Sequence, residues 1–185
     1  MCVITLCTRG ALDTWSRGRS TAALDAHGHT VLISYLADQP TLAEQLVPGL
    51  VEHWASIIPG YTADARSAKF LAHMNRDTLP IAWVAHDGAK ALGTAALRVC
   101  DLEGREDLTP WLGGVYVSPP FRGRGIASAL CAVVEQKARQ LGASALYLFT
   151  TDQSRLYAHL GWKFVERIQW HGRDGEIMVK HLGVV

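Results

Sequence analysis

The residues most suggestive of chemistry are the two arginines and two glycines of Arg122–Gly125, which join a strand-like segment to an apolar run with helical spacing. Glycine loses more backbone freedom on folding than other residues, so an ordered loop of this composition requires a compensating interaction. The first N–H groups of a helix lack partners within it, and the helix dipole favours negative charge there. With two guanidinium groups added, the stretch predicts a cradle for phosphate or pyrophosphate. An exposed basic turn is the competing interpretation.

The surrounding pattern narrows the kind of nucleotide that such a cradle would hold. The chain contains no G-x-x-x-x-G-K-[ST] sequence, which argues against a P-loop NTPase. A dinucleotide-binding loop remains open, because Gly123 and Gly125 give G-x-G and Ser128 stands at the third glycine position. Asp152 follows the next strand, as that reading also requires. Against it, two prolines separate strand from loop, and the first half of the chain does not follow a β-α-β order.

Strand and helix patterns surround the loop and must position it. The preceding strand is predicted over 111–118 and the following helix over 126–141, with Gly142 suited to the position just after the helix. Elsewhere the sequence predicts a strand at 30–37, helices from Thr41 and at 63–75, a hairpin around HDGAK, a strand ALYLFT, a short helix at 154–160, and final strands at 162–170 and 176–181. The order β-α-α-β-β-β-α-β-α-β-β predicts an α/β sandwich with a mixed sheet.

Local signals give further detail for the first two helices. Thr41–Glu44 reads TLAE, a capping box that would open the first helix. Pro48-Gly49 then predicts a kink or a split in that helix. In the second helix the inward residues are expected to be Ser67, Phe70, Leu71 and Met74.

Residues 1–28 differ from the rest in composition, being rich in Gly, Ser, Thr and Arg without sustained periodicity. We expect a loosely structured N-terminal extension, dispensable for folding, before a single domain over residues 29–185. A short strand at Val3–Leu6 is the competing interpretation. The apolar opening is too short for a signal peptide and has no basic segment before it.

Composition limits the class of protein. The 185 residues are 49% apolar and 19% charged, with a formal net charge of +1, which is typical of an ordinary globular domain and predicts neither nucleic-acid nor membrane binding. Cys2, Cys7, Cys100 and Cys131 are scattered, and the eight histidines show no ligand spacing, so we expect no metal site. We expect a cytoplasmic protein, as a monomer or a homodimer.

Two segments together resemble a known family. Arg122–Ala127 reads RGRGIA and resembles the Arg/Gln-x-x-Gly-x-Gly/Ala signature of the GNAT superfamily of acyl-CoA N-acyltransferases. Downstream, LYAHLGWKFVER resembles that family's fYeklGF segment, at a similar distance. The order of elements from Thr30 to Leu182 is also similar. The resemblance implies a mixed, mostly antiparallel sheet of about six to seven strands with about four flanking helices, and acetyl-CoA as cosubstrate.

The resemblance also implies roles for particular residues. The backbone amides of the Arg-Gly loop would hold the coenzyme A pyrophosphate, and the preceding strand would pair with the pantetheine arm. These cofactor-binding residues are Val115, Tyr116, Val117, Arg122, Gly123, Arg124, Gly125, Ile126 and Ala127. A bulge at Gly113-Gly114 would separate this strand from the next. Tyr157 matches the family tyrosine that protonates the departing thiolate, and a core aromatic is the competing interpretation.

One position departs from many relatives. Thr150 stands where they carry an asparagine that contacts the coenzyme arm, so its cofactor contact is an open expectation. The segment TTDQSRLYAHLGW resembles the Thr-x-Asp-Gln variant of the actin-type N-terminal acetyltransferases.

The general base is not fixed by the sequence. Asp101, Glu103 and Asp107 lie before the central strand on a plausible acceptor side, a chain of water molecules could replace them, and surface charge is the alternative role for each. Trp111 is expected either to line the acceptor pocket or to pack in the core. We expect an acetyl-CoA-dependent N-acetyltransferase acting on a small amine or a peptide N-terminus. A non-catalytic acyl-CoA sensor on the same fold is the alternative.

Overall fold

The computed structural model describes residues 20–183, with the exception of residues 56 and 59. Within that part of the chain the strands are β1 (Thr21–Leu24), β2 (Thr30–Tyr35), β3 (Ile81–His86), β4 (Ala91–Arg98), β5 (Trp111–Val117), β6 (Ala145–Thr150), β7 (Lys163–Trp170) and β8 (Arg173–His181). The α-helices are α1 (Pro40–Ala55), α2 (Ala63–Ala72), α3 (Ile126–Gln140) and α4 (Ser154–His159). The predicted α/β class and order of elements from β2 onward are confirmed.

One sheet joins all eight strands in the order β1-β2-β3-β4-β5-β6-β8-β7. Every neighbouring pair is antiparallel except β5 and β6, which are parallel and connected through α3. A parallel pair requires a crossover, and α3 supplies it across one face of the sheet. The mostly antiparallel sheet is therefore confirmed, with one strand more than the six to seven expected.

Side chains from the two faces of the sheet build separate cores. Trp83 and Val84 are neighbours on β3, so their side chains point to opposite faces. Trp83 belongs to the cluster that includes the apolar face of α3, and Val84 to the one packed against α1 and α2. Both are fully buried. Helices thus cover both faces of the central strands, which explains why β3 and β4 are almost continuously buried.

The first helix differs from the local signals in where it begins, and it excludes the split that was one of two expectations at Pro48-Gly49. It begins at Pro40, before the expected capping box, since proline is well suited to the first helical turn. It also continues through Pro48 to Ala55 without a split. A Cβ at Gly49 would lie 2.2 Å from Oη of Tyr116, so this glycine lets a tyrosine of the sheet approach the helix closely.

The second helix confirms part of the expected inward face. Phe70 is buried and Met74 packs against the same core cluster, as expected, but Leu71 is 68% exposed, and Arg66 and His73 are buried beside Phe70. Residues at i, i+4 and i+7 share one side of a helix, so this face is internally consistent. The prediction for Leu71 was wrong because Arg66 takes an inward position on this helix.

The segment 20–28, expected to be loosely structured, contains β1 and a tight turn. Residues 21–24 pair with 30–33 of β2, and Asp25 accepts hydrogen bonds from the backbone N–H groups of His27 and His29. A carboxylate capping its own turn stabilises such a hairpin locally. The remainder of the expected extension, including Val3–Leu6, lies outside the described residues.

Candidate active site

Strands β5 and β6, the parallel pair at the centre of the sheet, diverge after one paired position. Their register contains a single pair, Trp111 with Tyr147, and the backbone N–H of Tyr147 donates to the carbonyl of Pro110 at 3.0 Å. Within the described residues, no later position of β5 pairs with β6. The separation leaves an opening in the sheet beside Val115–Val117, with a strand edge available to a bound molecule.

A bulge on β5 borders this opening, as expected. The pairing with β4 shifts register between Thr94 and Ala96, and Gly114 has a φ of +60°. The glycines are also required by neighbouring side chains. A Cβ at Gly113 would lie 2.5 to 2.7 Å from the Asp101 carboxylate, and one at Gly114 would lie 2.8 Å from Nη2 of Arg98. The bulge therefore lets an ion pair lie directly against bare backbone.

The Arg-Gly loop follows at the carboxyl end of β5. Gly123 and Gly125 have φ values of +75° and +80°, and Gly125 is the N-cap of α3. Left-handed backbone of this kind is accessible to glycine at little cost and turns successive N–H groups toward one concavity. Nε of Arg122 donates to the carbonyl of Val117 at 3.0 Å, which fixes the loop against the end of the strand.

A cavity of about 780 Å³ occupies the opening, within the size range of small-molecule sites. Ten of the sequence-predicted residues line it: Asp101, Val115, Tyr116, Val117, Arg122, Gly123, Gly125, Ile126, Ala127 and Thr150. Tyr157 lines it as well. The structure thus gathers the Arg-Gly loop, the free edge of β5 and the family tyrosine around one volume.

Tyr157 belongs to the core and also lies on the wall of the cavity. It lies on α4, is 7% exposed, packs edge-on against Trp162 with ring centroids 6.1 Å apart, and also lines the cavity. Gly161, at φ +86°, ends the helix and lets the backbone N–H of Trp162 donate to the carbonyl of Tyr157 at 3.0 Å. Burial raises the pKa of the phenol well above its usual range, so it holds its proton at neutral pH.

Thr150 lines the cavity at the end of β6, but its hydroxyl has a structural partner. It accepts a hydrogen bond from the backbone N–H of Gln153 at 3.0 Å, which shapes the turn leading into α4. The threonine thus contributes to placing Tyr157, which lies one helical turn after Gln153.

The three acidic residues considered as the general base lie in different surroundings. Asp101 lines the cavity and is ion-paired with Arg98. Glu103 is exposed on a turn and lies outside the lining, which removes it as a candidate base. Asp107 is exposed and accepts from Arg105. Trp111 is fully buried in a small core cluster with Leu102 and Ile177, so it packs as core.

Arg124 is the one predicted cofactor residue outside the lining. Its guanidinium lies over the ring of Phe121 at 5.3 Å and approaches the Asp25 carboxylate at 3.6 Å. Its backbone carbonyl accepts from the N–H of Ala26. The side chain therefore ties the loop to the β1–β2 turn instead of facing the cavity.

Several lining residues were not anticipated from the sequence, chiefly on the side away from the loop: His53, Trp54, Arg66, Lys69, Arg98, Trp170 and Arg173. The spacing of Arg66 and Lys69 at i, i+3 on a helix was a usable signal. The two were passed over because charged residues on a helix are ordinarily solvated.

Two kinds of feature are absent from the described part of the chain. No helix in that part of the chain is long and apolar enough to cross a membrane. No group of three or more His, Cys, Asp or Glu side chains there is arranged to hold a metal ion.

Comparison with known proteins identifies the family. Residues 48–162 match the acetyltransferase (GNAT) family. The chain is 26% identical over 135 residues to the uncharacterized N-acetyltransferase YjgM of Escherichia coli, covering 71% of this chain and 80% of that protein. A shorter match to N-alpha-acetyltransferase 80 of Mus musculus is 44% identical over 55 residues, 30% of this chain and 18% of that one.

The fold is also similar to that of a solved acetyltransferase structure. An aminoglycoside 6′-N-acetyltransferase complexed with coenzyme A superposes with a TM-score of 0.65 at 19% identity, covering 83% of this chain and 98% of that one. The expectation of an acetyl-CoA-dependent acyltransferase is thereby confirmed, because the family match spans more than half of the chain. The chain belongs to the acetyltransferase (GNAT) family.

Proposed function

We propose that this protein transfers the acetyl group of acetyl-CoA to the primary amine of a small molecule or a peptide N-terminus. One observation supports this most directly: β5 and β6 diverge into a cavity that ends at a glycine-rich, cationic helix start. An acyl-CoA has the matching shape and charge, with a thin polar arm attached to a pyrophosphate. The aminoglycoside named for the structural neighbour does not carry over at 19% identity.

The residues present suit coenzyme A. The open space at Gly123 and Gly125, where a Cβ would meet no atom within 4 Å, leaves their backbone accessible to a large anion. The N–H groups at the start of α3 and the Arg122 guanidinium would bind the pyrophosphate. The free edge of β5 would pair with the amides of the pantetheine arm, and the bulge would leave room for the thioester.

Side chains of the protein would donate and accept the protons that the transfer requires. In the transfer, the amine nitrogen bonds to the acetyl carbon, the carbon–sulphur bond breaks, and the sulphur leaves with the electron pair. We assign protonation of that sulphur to Oη of Tyr157, whose burial keeps it protonated.

The amine must also lose a proton. The carboxylate of Asp101 is already ion-paired with Arg98. We assign the proton to His53, which lines the cavity. Partial burial, and then the charge of Arg122, lower its pKa below the usual value, so the imidazole is neutral at pH 7.

A matched pair of glycine substitutions tests the cofactor site. Gly125 and Gly142 both have positive φ and open space at Cβ, but only Gly125 lines the cavity. Both Ala variants strain the backbone, since L-residues disfavour this region. Only Gly125→Ala should weaken acetyl-CoA binding by titration calorimetry, by about 10-fold or more. Equal affinities of the two variants for acetyl-CoA would contradict the placement of the cofactor.

The transfer itself is tested by measuring the release of free thiol from acetyl-CoA with a panel of amines.

A further inference from the structure

The wall of the cavity beside the β5 bulge is unusually cationic. Arg66 and Lys69 on α2 and Arg98 at the end of β4 all line it. The cavity is also lined by the carboxylates of Asp101, Asp152 and Asp174, and of these three it is Asp101 whose charge acts on Arg66 and Lys69. These groups are close enough to affect one another, since the charges of Arg98 and Asp101 act on both Arg66 and Lys69. With Asp101 subtracted, the wall keeps two positive charges.

Arg66 is the least satisfied member of this wall. It is 5% exposed, its Nε has no hydrogen-bond partner, and within the described residues it forms no ion pair. The guanidinium does lie 3.9 Å from the centre of the Phe70 ring and shares a side-chain hydrogen bond with Tyr61. Neither contact supplies a negative charge, and burying an unpaired cation is costly. Burial accordingly lowers the pKa of Arg66 to about 10.

Arg98, by contrast, is held rigidly. Its Nε donates to Nε2 of His73 at 3.1 Å, so the imidazole proton resides on Nδ1 and is donated to the carbonyl of Lys69. Its Nη1 pairs with Asp101, and Nη2 lies against Gly114. Burial, followed by the charge of Arg98, lowers the pKa of His73 to about 4, so this histidine stays neutral and adds no compensating charge.

We propose that Arg66, Lys69 and Arg98 form a carboxylate-binding acceptor subsite, and that the preferred acceptor is a primary amine carrying a carboxylate. This rests on the proposed function, because the wall adjoins the bulge where the thioester is expected. A carboxylate would pair with the free cationic charge and would satisfy the buried arginine. The subsite would hold the amine by its acidic group while the nitrogen faces the acetyl carbon. A polycationic amine would be repelled from the same wall.

Matched substrates test the subsite, since each pair differs only in charge. One pair is β-alanine and β-alaninamide, and the other is Glu-Gly-Gly-amide and Gln-Gly-Gly-amide, which separates a free amino acid from a peptide as the source of the carboxylate. Hydrogen bonds to charged groups predict a kcat/KM higher for the carboxylate by about 10-fold to 100-fold in at least one pair. Spermidine, a polycation, should be a poor acceptor.

Variants connect the preference to the wall. Lys69 is exposed on α2, so Lys69→Gln should fold normally and reduce the carboxylate preference several-fold. Lys163→Gln, an exposed lysine of β7 outside the lining, should leave it unchanged. Arg66→Lys keeps the charge and should retain more of the preference than Arg66→Gln, with melting temperature measured on each.

The two proposals fail in different ways. If amides and spermidine are acetylated as well as carboxylates, the subsite is overturned and the N-acetyltransferase stands. If no amine releases thiol, transfer fails, and calorimetry of the same pairs against the coenzyme A complex decides the subsite. Tighter binding of the carboxylate members would support it, and equal or undetectable binding would overturn it.

Discussion

At the scale of single residues, Tyr157 has a place in the core as well as the proton-donor role that we propose for it. Its ring is part of the core cluster beneath α3, while its position places it on the cavity wall. The same burial that stabilises the ring raises the pKa of its hydroxyl. A proton donor for a thiolate must remain protonated until the bond breaks, and this environment meets that requirement.

We predict that Tyr157→Phe lowers kcat and kcat/KM together by roughly 10²–10⁴, because it removes a proton needed only in the transition state. Acetyl-CoA affinity should change little, since the proposed contacts come from the backbone of β5 and the loop. Steady-state kinetics and calorimetry on one preparation measure both. Tyr147→Phe, outside the lining, is the matched control. A folded Tyr157→Phe protein with parental kcat would exclude the role of proton donor.

At the scale of elements, the β1–β2 hairpin braces the Arg-Gly loop. The backbone N–H of Ala26 donates to the carbonyl of Arg124 at 3.1 Å, and Asp25 approaches the guanidinium of Arg124. Burial by itself would raise the pKa of Asp25, but hydrogen bonds from the backbone of His29 and His27 outweigh it and lower the value. The carboxylate is therefore charged at neutral pH.

We expect Asp25→Asn to raise KM for acetyl-CoA several-fold with a smaller effect on kcat, because it loosens the loop without touching the reacting atoms. Asp64→Asn, on the exposed first turn of α2, serves as the control. Initial rates over a range of acetyl-CoA concentrations measure the effect. Unchanged KM would mean that the loop keeps its shape without the hairpin.

A protein beginning at His29 tests the same element more severely. The sequence predicts that it folds, whereas the pairing of β1 with β2 indicates that it loses an edge strand and the brace. Melting temperature and acetyl-CoA affinity of this shortened protein would separate a role in folding from a role in binding.

At the scale of the whole molecule, buried histidines link stability to pH. Burial is the leading cause of the lowered pKa at both His73 and His86, and Nε2 of His86 lies 2.8 Å from the Ser34 hydroxyl. The native state holds such groups neutral, whereas the unfolded chain binds protons near pH 6.5. The contribution of these neutral histidines to stability is therefore fully present above about pH 6.5 and is lost as pH falls toward the native pKa.

For His73 the native pKa of about 4 makes this loss substantial. Lowering the pH from 7.5 to 4.5 should reduce the free energy of unfolding of both proteins. We predict that the reduction is smaller in His73→Gln than in the parent, by about 2 kcal/mol. Urea titrations at the two pH values measure the difference. If both proteins lose the same amount, His73 is protonated in the folded state and cannot accept from Arg98.

The sequence by itself determined the succession of elements and the cofactor end of the site. Gly123, Gly125 and the helix start at Ile126 are neighbours in the chain, so their geometry is local and can be read from residue type and spacing. The same holds for Gly161 and Trp162, which fix the end of α4 beside Tyr157. The match to the GNAT family covers both of these segments.

Only the tertiary structure decided the acceptor end. Arg66 comes from α2, Arg98 from β4 and Asp101 from the following loop, so no short stretch contains the wall they form. The burial of Arg66 and the exposure of Leu71 depend on how α2 packs against the sheet, and helical periodicity alone predicted the reverse. The role of Gly113 and Gly114 likewise depends on side chains 12 to 16 residues upstream that pack against them. Charge and packing between distant segments, which leave no pattern in the sequence, therefore form the wall that we propose as the acceptor subsite.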